Sequence, residues 1–309
     1  MPGRITYSKG RLGSKGHWEA GLMFAIIGIV IVIGAVIGGY LMEHGVLSVL
    51  VQPAELVIIG GAAFGTLFIA NPISIIKKLF AGMLAILKGS PYTKDAYLET
   101  LKMMNTLFLS ARKHGATKLE ADIEEPHKSD VFTKFPAFLA QHHAVDFLCD
   151  TLRMSVSGGV DHFSLDQMME LDMEVHHHGT QMPIGALNSV ADSLPGLGIV
   201  AAVLGVVITM GSLGGPPEEI GHKVGAALVG TFLGILLCYG FLGPLASNMA
   251  KLADAEGQYY NVLRVGSIAY IKGNAPILSV EFARRAIPHE VRPSFKEMEA
   301  ACKGGGAAS

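Results

Sequence analysis

Acidic and basic side chains are almost absent from the longest apolar stretches of this 309-residue chain. Residues 194–213 and 224–250 contain none, and two carboxylates, Asp192 and Glu55, lie near the ends of such stretches. A protein that moves ions across a membrane usually carries an acid in the middle of a span. If this chain conducts protons, we therefore expect another chain to supply the titrating carboxylate. We expect Glu55 to lie toward the outer edge of the membrane, in a structural role.

Two prolines interrupt the third and fourth apolar stretches. Pro195 follows Asp192 by three positions, and Pro244 lies near the end of the next stretch. A proline removes a backbone hydrogen bond, and lipid tolerates that loss only where a neighbouring helix, a side chain or a cavity compensates. Because the two stretches run in opposite directions, we expect both prolines at similar depth. A matched pair of helix breaks would mark a site or a hinge between helices.

Three hydroxyl side chains could line a polar path between spans: Thr209, Ser212 and Thr231. Thr231 lies near the middle of its stretch, between Gly230 and Gly234. One interpretation is that its hydroxyl faces a water-filled path between the spans. The other is that the hydroxyl bonds a carbonyl of its own helix, and both stay open at this point.

The remaining reactive residues predict no enzyme and no cofactor. Consecutive helix residues point about 100° apart, so we expect the histidines at 176–178 and 142–143 to form solvated helix faces rather than zinc sites. No glycine-rich phosphate loop and no nucleophile motif is present. The three cysteines lack metal-ligand spacing and should be free thiols. No basic patch interleaves with aromatics, so the sequence gives no support for nucleic-acid binding.

The composition is that of a multi-span membrane protein, because half of the residues are hydrophobic and 16% are charged. We predict an all-α fold with spans at about 20–42, 46–70, 184–213 and 224–246. Each is long enough for a helix to cross a bilayer. Of the 24 lysines and arginines, 23 lie outside the two predicted outer loops, which places both termini in the cytoplasm.

The predicted domains are a basic arm (1–19), the first two spans (20–70), a helical cytoplasmic insert (71–185), the last two spans (186–247) and a helical cytoplasmic tail (248–309). Within the insert, the sequence predicts a surface helix over 75–88 and a helix from Thr93 to Gly115. That second helix has an apolar stripe at 4-3-4-3 spacing. Ser164 should cap a last helix that runs to about His178.

Several motifs, in this order, resemble the MotA family, which forms the ring of the flagellar motor stator. The resemblance runs from the first span to Ser294 and leaves the arm outside. It rests on Tyr40-Leu41-Met42, Gln52-Pro53-Ala54-Glu55-Leu56-Val57-Ile58-Ile59, Asp122-Ile123-Glu124, Asp192-Ser193-Leu194-Pro195, Gly198-Ile199-Val200-Ala201-Ala202-Val203, Val229-Gly230-Thr231-Phe232-Leu233-Gly234-Ile235-Leu236 and Val280-Glu281-Phe282.

The resemblance implies a bacterial inner-membrane pentamer of this chain around a dimer of MotB-like partners. A partner aspartate would be the missing carboxylate. Pro195, Pro244 and Thr231 match family residues near the proton path. Ala202 stands where sodium-driven relatives tend to carry threonine, so the match favours protons. In the insert, Arg112 and Glu120 match the charged pair that engages the rotor protein FliG; taken alone, both would be solvated surface charges.

Two alternatives to a motor subunit differ in the features that they require. ExbB and TolQ, relatives that energise outer-membrane processes, have three spans, whereas four are predicted here. A membrane metal enzyme that uses the histidines would require bound metal. The favoured hypothesis is an all-α inner-membrane motor subunit that couples proton flow to rotation.

Overall fold

The structure is a computed structural model that describes residues 15–86, 89–211 and 214–304, with the backbone alone over 15–22. Every regular element in these ranges is helical. Residues 1–14 of the predicted basic arm lie outside the described residues. Helix α1 begins at Lys15, so the helix starts five residues earlier than the predicted first span.

The first six helices are α1 (Lys15–Met42), α2 (Leu47–Leu50), α3 (Pro53–Ala70), α4 (Ile73–Ile86), α5 (Lys94–His114) and α6 (Ala116–Glu124). The next four are α7 (Pro136–Leu139), α8 (His142–Ser157), α9 (His162–Met210) and α10 (Pro217–Leu236). The last three are α11 (Gly243–Ile271), α12 (Pro276–Ala286) and α13 (Phe295–Lys303). Short 3₁₀ turns occur at Pro126–Lys128, Phe132–Lys134 and His289–Val291, and a π-helical segment at Leu237–Leu242 joins α10 to α11.

Four helical stretches are long and apolar enough to cross a membrane, which confirms the predicted number of spans. They are Met23–Met42, Leu47–Ala70, His162–Met210 and Pro217–Ile271. The fourth is longer than a bilayer is thick because α10, the π-helical segment and α11 are continuous, and the third because α9 passes without interruption through residue 185, where the sequence predicted a boundary. Pro183 removes one backbone bond there, but Ile184 and Leu187 are buried and keep the helix packed.

The chain forms two compact units. The span unit comprises residues 1–90 and 180–252, and the polar unit comprises residues 91–179 and 253–309. In the span unit, small and branched side chains of α3, α9 and the π-helical segment form a buried cluster. Its members are Ile59, Ala63, Ala191, Leu194, Ala201 and Cys238. This cluster packs α3 against the helices that carry the candidate site.

The core of the polar unit is built on α5. All five residues of its predicted stripe are buried: Tyr97, Leu101, Met104, Phe108 and Ala111. Phe108 stacks on Tyr270 at a centroid distance of 4.2 Å, and the hydroxyls of Thr100 and Tyr259 lie 2.8 Å apart. Burial raises the pKa of Tyr97 to about 12. The predicted helix period is therefore confirmed by packing.

The ends of the polar helices follow local capping chemistry. Thr93 accepts a hydrogen bond from the backbone of Ala96 at 3.3 Å, and Gly115 ends α5 at φ 83°, as predicted. At the start of α9 the prediction was wrong, because Asp161 and not Ser164 provides the cap. Asp161 accepts from the backbone of Ser164 at 3.1 Å and from its hydroxyl at 2.7 Å.

Candidate functional site

The seam between α9 and α10 is made of glycines that let two backbones touch. A Cβ added to Gly198 would lie 2.7 Å from the carbonyl oxygen of Gly230. One added to Gly234 would overlap the carbonyl oxygen of Leu194. Side chains larger than hydrogen would separate the helices, so the seam depends on these small residues.

The seam brings Ala202 and Thr231 to the same level. The Cβ position of Gly230 lies 3.2 Å from the backbone nitrogen of Ala202, and that of Gly198 lies 3.2 Å from the Cα of Thr231. Both residues are half-buried in the isolated chain. Two site residues that are 29 positions apart in sequence are therefore neighbours across the seam.

The candidate hydroxyls differ in their hydrogen bonding. Thr209 donates to the carbonyl of Gly205 in its own helix at 2.8 Å, so its hydroxyl is satisfied locally. Thr231 makes no such bond within the described ranges and remains the hydroxyl available to a path. Ser212 lies outside the described residues.

The expectation of a matched pair of breaks at Pro195 and Pro244 is wrong in two respects. Helix α9 continues through Pro195, whose neighbour Leu194 is buried against α10, so packing compensates for the lost bond. Pro244 is the second residue after the π-helical segment, which contains the irregularity instead. The two prolines also lie at different depths. Leu194 is level with Gly234, and the ten residues from there to Pro244 correspond to a rise on the order of 15 Å.

Glu55 is the residue that sequence reasoning undervalued. It lies in the first turn of α3, and its side chain is 8% exposed. Its Oε2 atom would lie 2.6 Å from a Cβ on Gly230, and Oε1 would lie 3.6 Å from one on Gly205. A carboxyl group of this chain therefore reaches the seam at the level of Ala202. Its place at the start of α3 was visible in the sequence, but the direction of its side chain was not.

Arg112 and Glu120 lie on the surface of the polar unit. Arg112 is exposed in the last turn of α5, and Glu120 is exposed on α6, whose Leu119 and Ile123 face the core. The turn at Gly115 joins the two helices. In the described part of the chain, Arg112 and Glu120 form no ion pair with each other or with another side chain, so both charges face solvent.

Glu281, in the last of the family-like motifs, has a structural position. It lies on α12 and accepts hydrogen bonds from Arg284 at 2.7 and 2.8 Å and from Arg285 at 2.8 Å. These bonds lower the pKa of Glu281 to about 2. Arg284 also donates to the carbonyl of Pro293 at 3.0 Å, so the carboxylate fixes the chain that leads to α13.

The histidines do not gather around an ion. His176 contacts Glu256 at 3.1 Å and lies beside the rings of His143 and Tyr260. Among the residues that the structure describes, no group of three or more histidine, cysteine, aspartate or glutamate side chains could hold a metal.

Comparison with known proteins gives a consistent result. Residues 26–115 match the family described as Motility protein A N-terminal, and residues 140–261 match the MotA/TolQ/ExbB proton channel family. Motility protein A of Escherichia coli (strain K12) is 39% identical over 277 residues, 90% of this chain and 94% of that protein. Chemotaxis protein LafT of Vibrio parahaemolyticus is 34% identical over 90% of this chain and 97% of that protein.

Two solved structures share the fold. The flagellar MotAB stator complex from Bacillus subtilis has a TM-score of 0.70 at 25% identity, covering 87% of this chain and 98% of that chain. The C. jejuni MotAB structure has a TM-score of 0.71 at 18% identity, covering 88% and 98%. With four spans, the two family matches and relatives over 90% of its length, the chain belongs to the motility protein A family of flagellar stator subunits.

Proposed function

We propose that this chain forms, with a MotB-like partner, a proton-conducting complex that converts proton flow into torque on the rotor protein FliG. The observation that carries the proposal is the glycine seam of α9 and α10, which sets Ala202 level with Thr231. Pro195 lies about two helical turns from Ala202 on the same helix. Two solved structures that share the fold are MotAB structures, which supports a MotB-like chain as the partner. Five copies around a MotB dimer is the stoichiometry that the family resemblance implies.

In the proposed arrangement, the partner's aspartate meets the seam near Pro195, Ala202 and Thr231. Protonation would remove a charge from a site of low dielectric, and that would change the preferred packing of the partner helix against the seam. Pro244 lies about three turns away along the bundle, so it would act through the π-helical segment rather than by touching the same carboxylate. Protons are the transported ion, and the chain needs no cofactor and performs no catalysis.

The proposed topology places the polar segments on the cytoplasmic side of the bacterial inner membrane, together with both termini. The supporting observation is the distribution of lysine and arginine, of which all but Lys223 lie outside the predicted outer loops. Arg112 and Glu120 would then face the rotor. Complementary charges speed the encounter of two protein surfaces and fix their register. Such a contact suits a rotor surface that must be bound and released.

Co-expression of this chain with its MotB-like partner tests the proposal. The two should co-purify, and counting the copies by native mass spectrometry should give five to two. Cells that depend on this pair should swim without sodium and stop when the proton gradient collapses. Strict dependence on sodium would refute the proton assignment, and a chain that purifies without a partner would refute the complex.

A further inference from the structure

The carboxyl group of Glu55 lies in an apolar environment without a hydrogen-bonding partner. The side chain is 8% exposed, and Oε2 is buried with no hydrogen-bond partner in the described structure. At the seam, a Cβ added to Gly230 on α10 would lie 2.6 Å from Oε2, and one added to Gly205 on α9 would lie 3.6 Å from Oε1. A buried polar group without a partner is costly, and a buried unpaired charge is far more so. The group is therefore stable there in its neutral form.

The charged groups of the packed helices lie too far away to pair with this carboxyl. On α10 they are confined to the first two turns, where Lys223 pairs with Glu219 at 2.9 Å. Gly230 is seven residues further along, or about 10 Å. On α9 the charged group of the span unit is Asp192, ten residues before Ala202, or about 15 Å. Within the span unit, the charged and histidine side chains that the structure describes on α9, on α10 and in the loop between α1 and α3 are Glu43, His44, Asp192, Glu218, Glu219, His222 and Lys223.

The position of Glu55 along the helices favours a proton-handling role over a packing role. Its backbone is at the first turn of α3, the end of the span that the proposed topology puts outside, while its carboxyl reaches the level of Ala202. A carboxyl that serves packing alone would be expected to bond a neighbouring hydroxyl or carbonyl. An ionisable group inside a membrane bundle is by default a candidate for function.

We propose that Glu55 is a second proton-binding group, which receives protons from outer water and passes them along the seam toward the partner's carboxylate. A hydronium ion at the outer face gives its proton to the Glu55 carboxylate and becomes water. The protonated carboxyl then gives that proton, through water, to the partner's carboxylate, and the transient Glu55 carboxylate takes the next proton from another hydronium ion, which restores the neutral form. No electron moves and no other reactant is required. This inference rests on the proposed function.

Gly230 makes room for the Glu55 carboxyl at the same site. A methyl group there would meet Oε2 at 2.6 Å and Ala201 Cβ at 3.2 Å, so the glycine leaves the space that the carboxyl occupies. A side chain at this position would displace the Glu55 carboxyl.

The test is Glu55→Gln in the full complex with an unplugged partner, with proton influx measured in cells against outer pH. Glutamine keeps the shape of the neutral acid but binds no proton. We expect influx at neutral outer pH to fall about tenfold and the midpoint of its pH profile to shift, while membrane level and co-purification stay unchanged. Glu43→Gln, at an exposed acid before the second span, is the matched control. It should change neither the proton influx nor the midpoint of the pH profile.

Influx and a pH midpoint equal to those of the wild type would overturn the role of Glu55. If Glu55→Gln does not assemble, Glu55→Asp keeps the acid on a shorter stem and should conduct less, with a shifted pH midpoint. Wild-type influx and midpoint in Glu55→Asp would equally overturn the inference. A wild-type complex that conducts no protons would instead refute the proposed function, so the two failures are distinguishable.

Discussion

The carbonyl oxygen of Leu194 packs directly against the Cα of Gly234, so that no side-chain carbon fits between them. This contact lies one residue before Pro195. It fixes the register of α9 against α10, and the same register brings Ala202 beside Gly230. The proton path proposed for this chain therefore depends on backbone proximity as much as on polar side chains.

Replacement of Gly198 by alanine tests this seam. The new methyl would lie 2.7 Å from the carbonyl oxygen of Gly230 and 3.2 Å from the Cα atoms of Thr231 and Gly234. Overpacking of this kind costs about 1–3 kcal/mol. We expect a lower unfolding temperature of the purified complex and a loss of swimming. Gly196→Ala is the matched control, because nothing lies within 4 Å of its added carbon. Equal unfolding temperatures for both variants would argue against the seam.

Pro195→Ala should abolish torque while the protein still inserts and assembles. Alanine restores the backbone donor, so the helix gains a hydrogen bond beside the proposed site of the partner's carboxylate. Torque is measured from the rotation of tethered cells, and insertion from the membrane fraction. Pro183→Ala, in the same helix but about 18 Å from Pro195, should leave torque intact. Loss of the protein from the membrane would show that Pro195 serves the fold.

Arg112→Glu and Glu120→Lys should each impair swimming without loss of stability or of proton influx. Both side chains are exposed, and an exposed charge contributes about 0–1 kcal/mol. Reversal of a complementary charge on the rotor should restore part of the motility. Lys296→Glu, at an exposed lysine on α13, is the control and should swim normally. A variant of Arg112 that neither assembles nor conducts would place that residue in the fold.

The stability of the complex should depend on Glu281 in acid. Its folded pKa of about 2 lies below its ordinary value of 4.5, so its contribution is present at neutral pH and is lost as pH falls from about 4.5 toward 2. Glu281→Gln should lower the unfolding temperature at pH 7 and flatten the change between pH 5 and pH 3. Glu299→Gln, at the half-buried partner of the exposed Lys303, should retain the wild-type profile. An unchanged profile in Glu281→Gln would contradict the role of this carboxylate.

The sequence by itself determined the number of spans, the α5 stripe and the helix end at Gly115. These features follow from local rules, namely the length of apolar runs, the 3.6-residue period and the conformational freedom of glycine. The family was recognisable from short motifs for a similar reason, since each keeps its residues within a few turns of one helix.

The tertiary structure alone decided the depth of Pro195 and Pro244 and the surroundings of Glu55. Depth depends on the register between two antiparallel helices, which is set by the contact of Leu194 with Gly234 across 40 residues of chain. The burial of Glu55 depends on the absence of side chains at Gly205 and Gly230, on two other helices. Such relationships follow from packing between elements that are distant in sequence, and no periodicity within one helix encodes them.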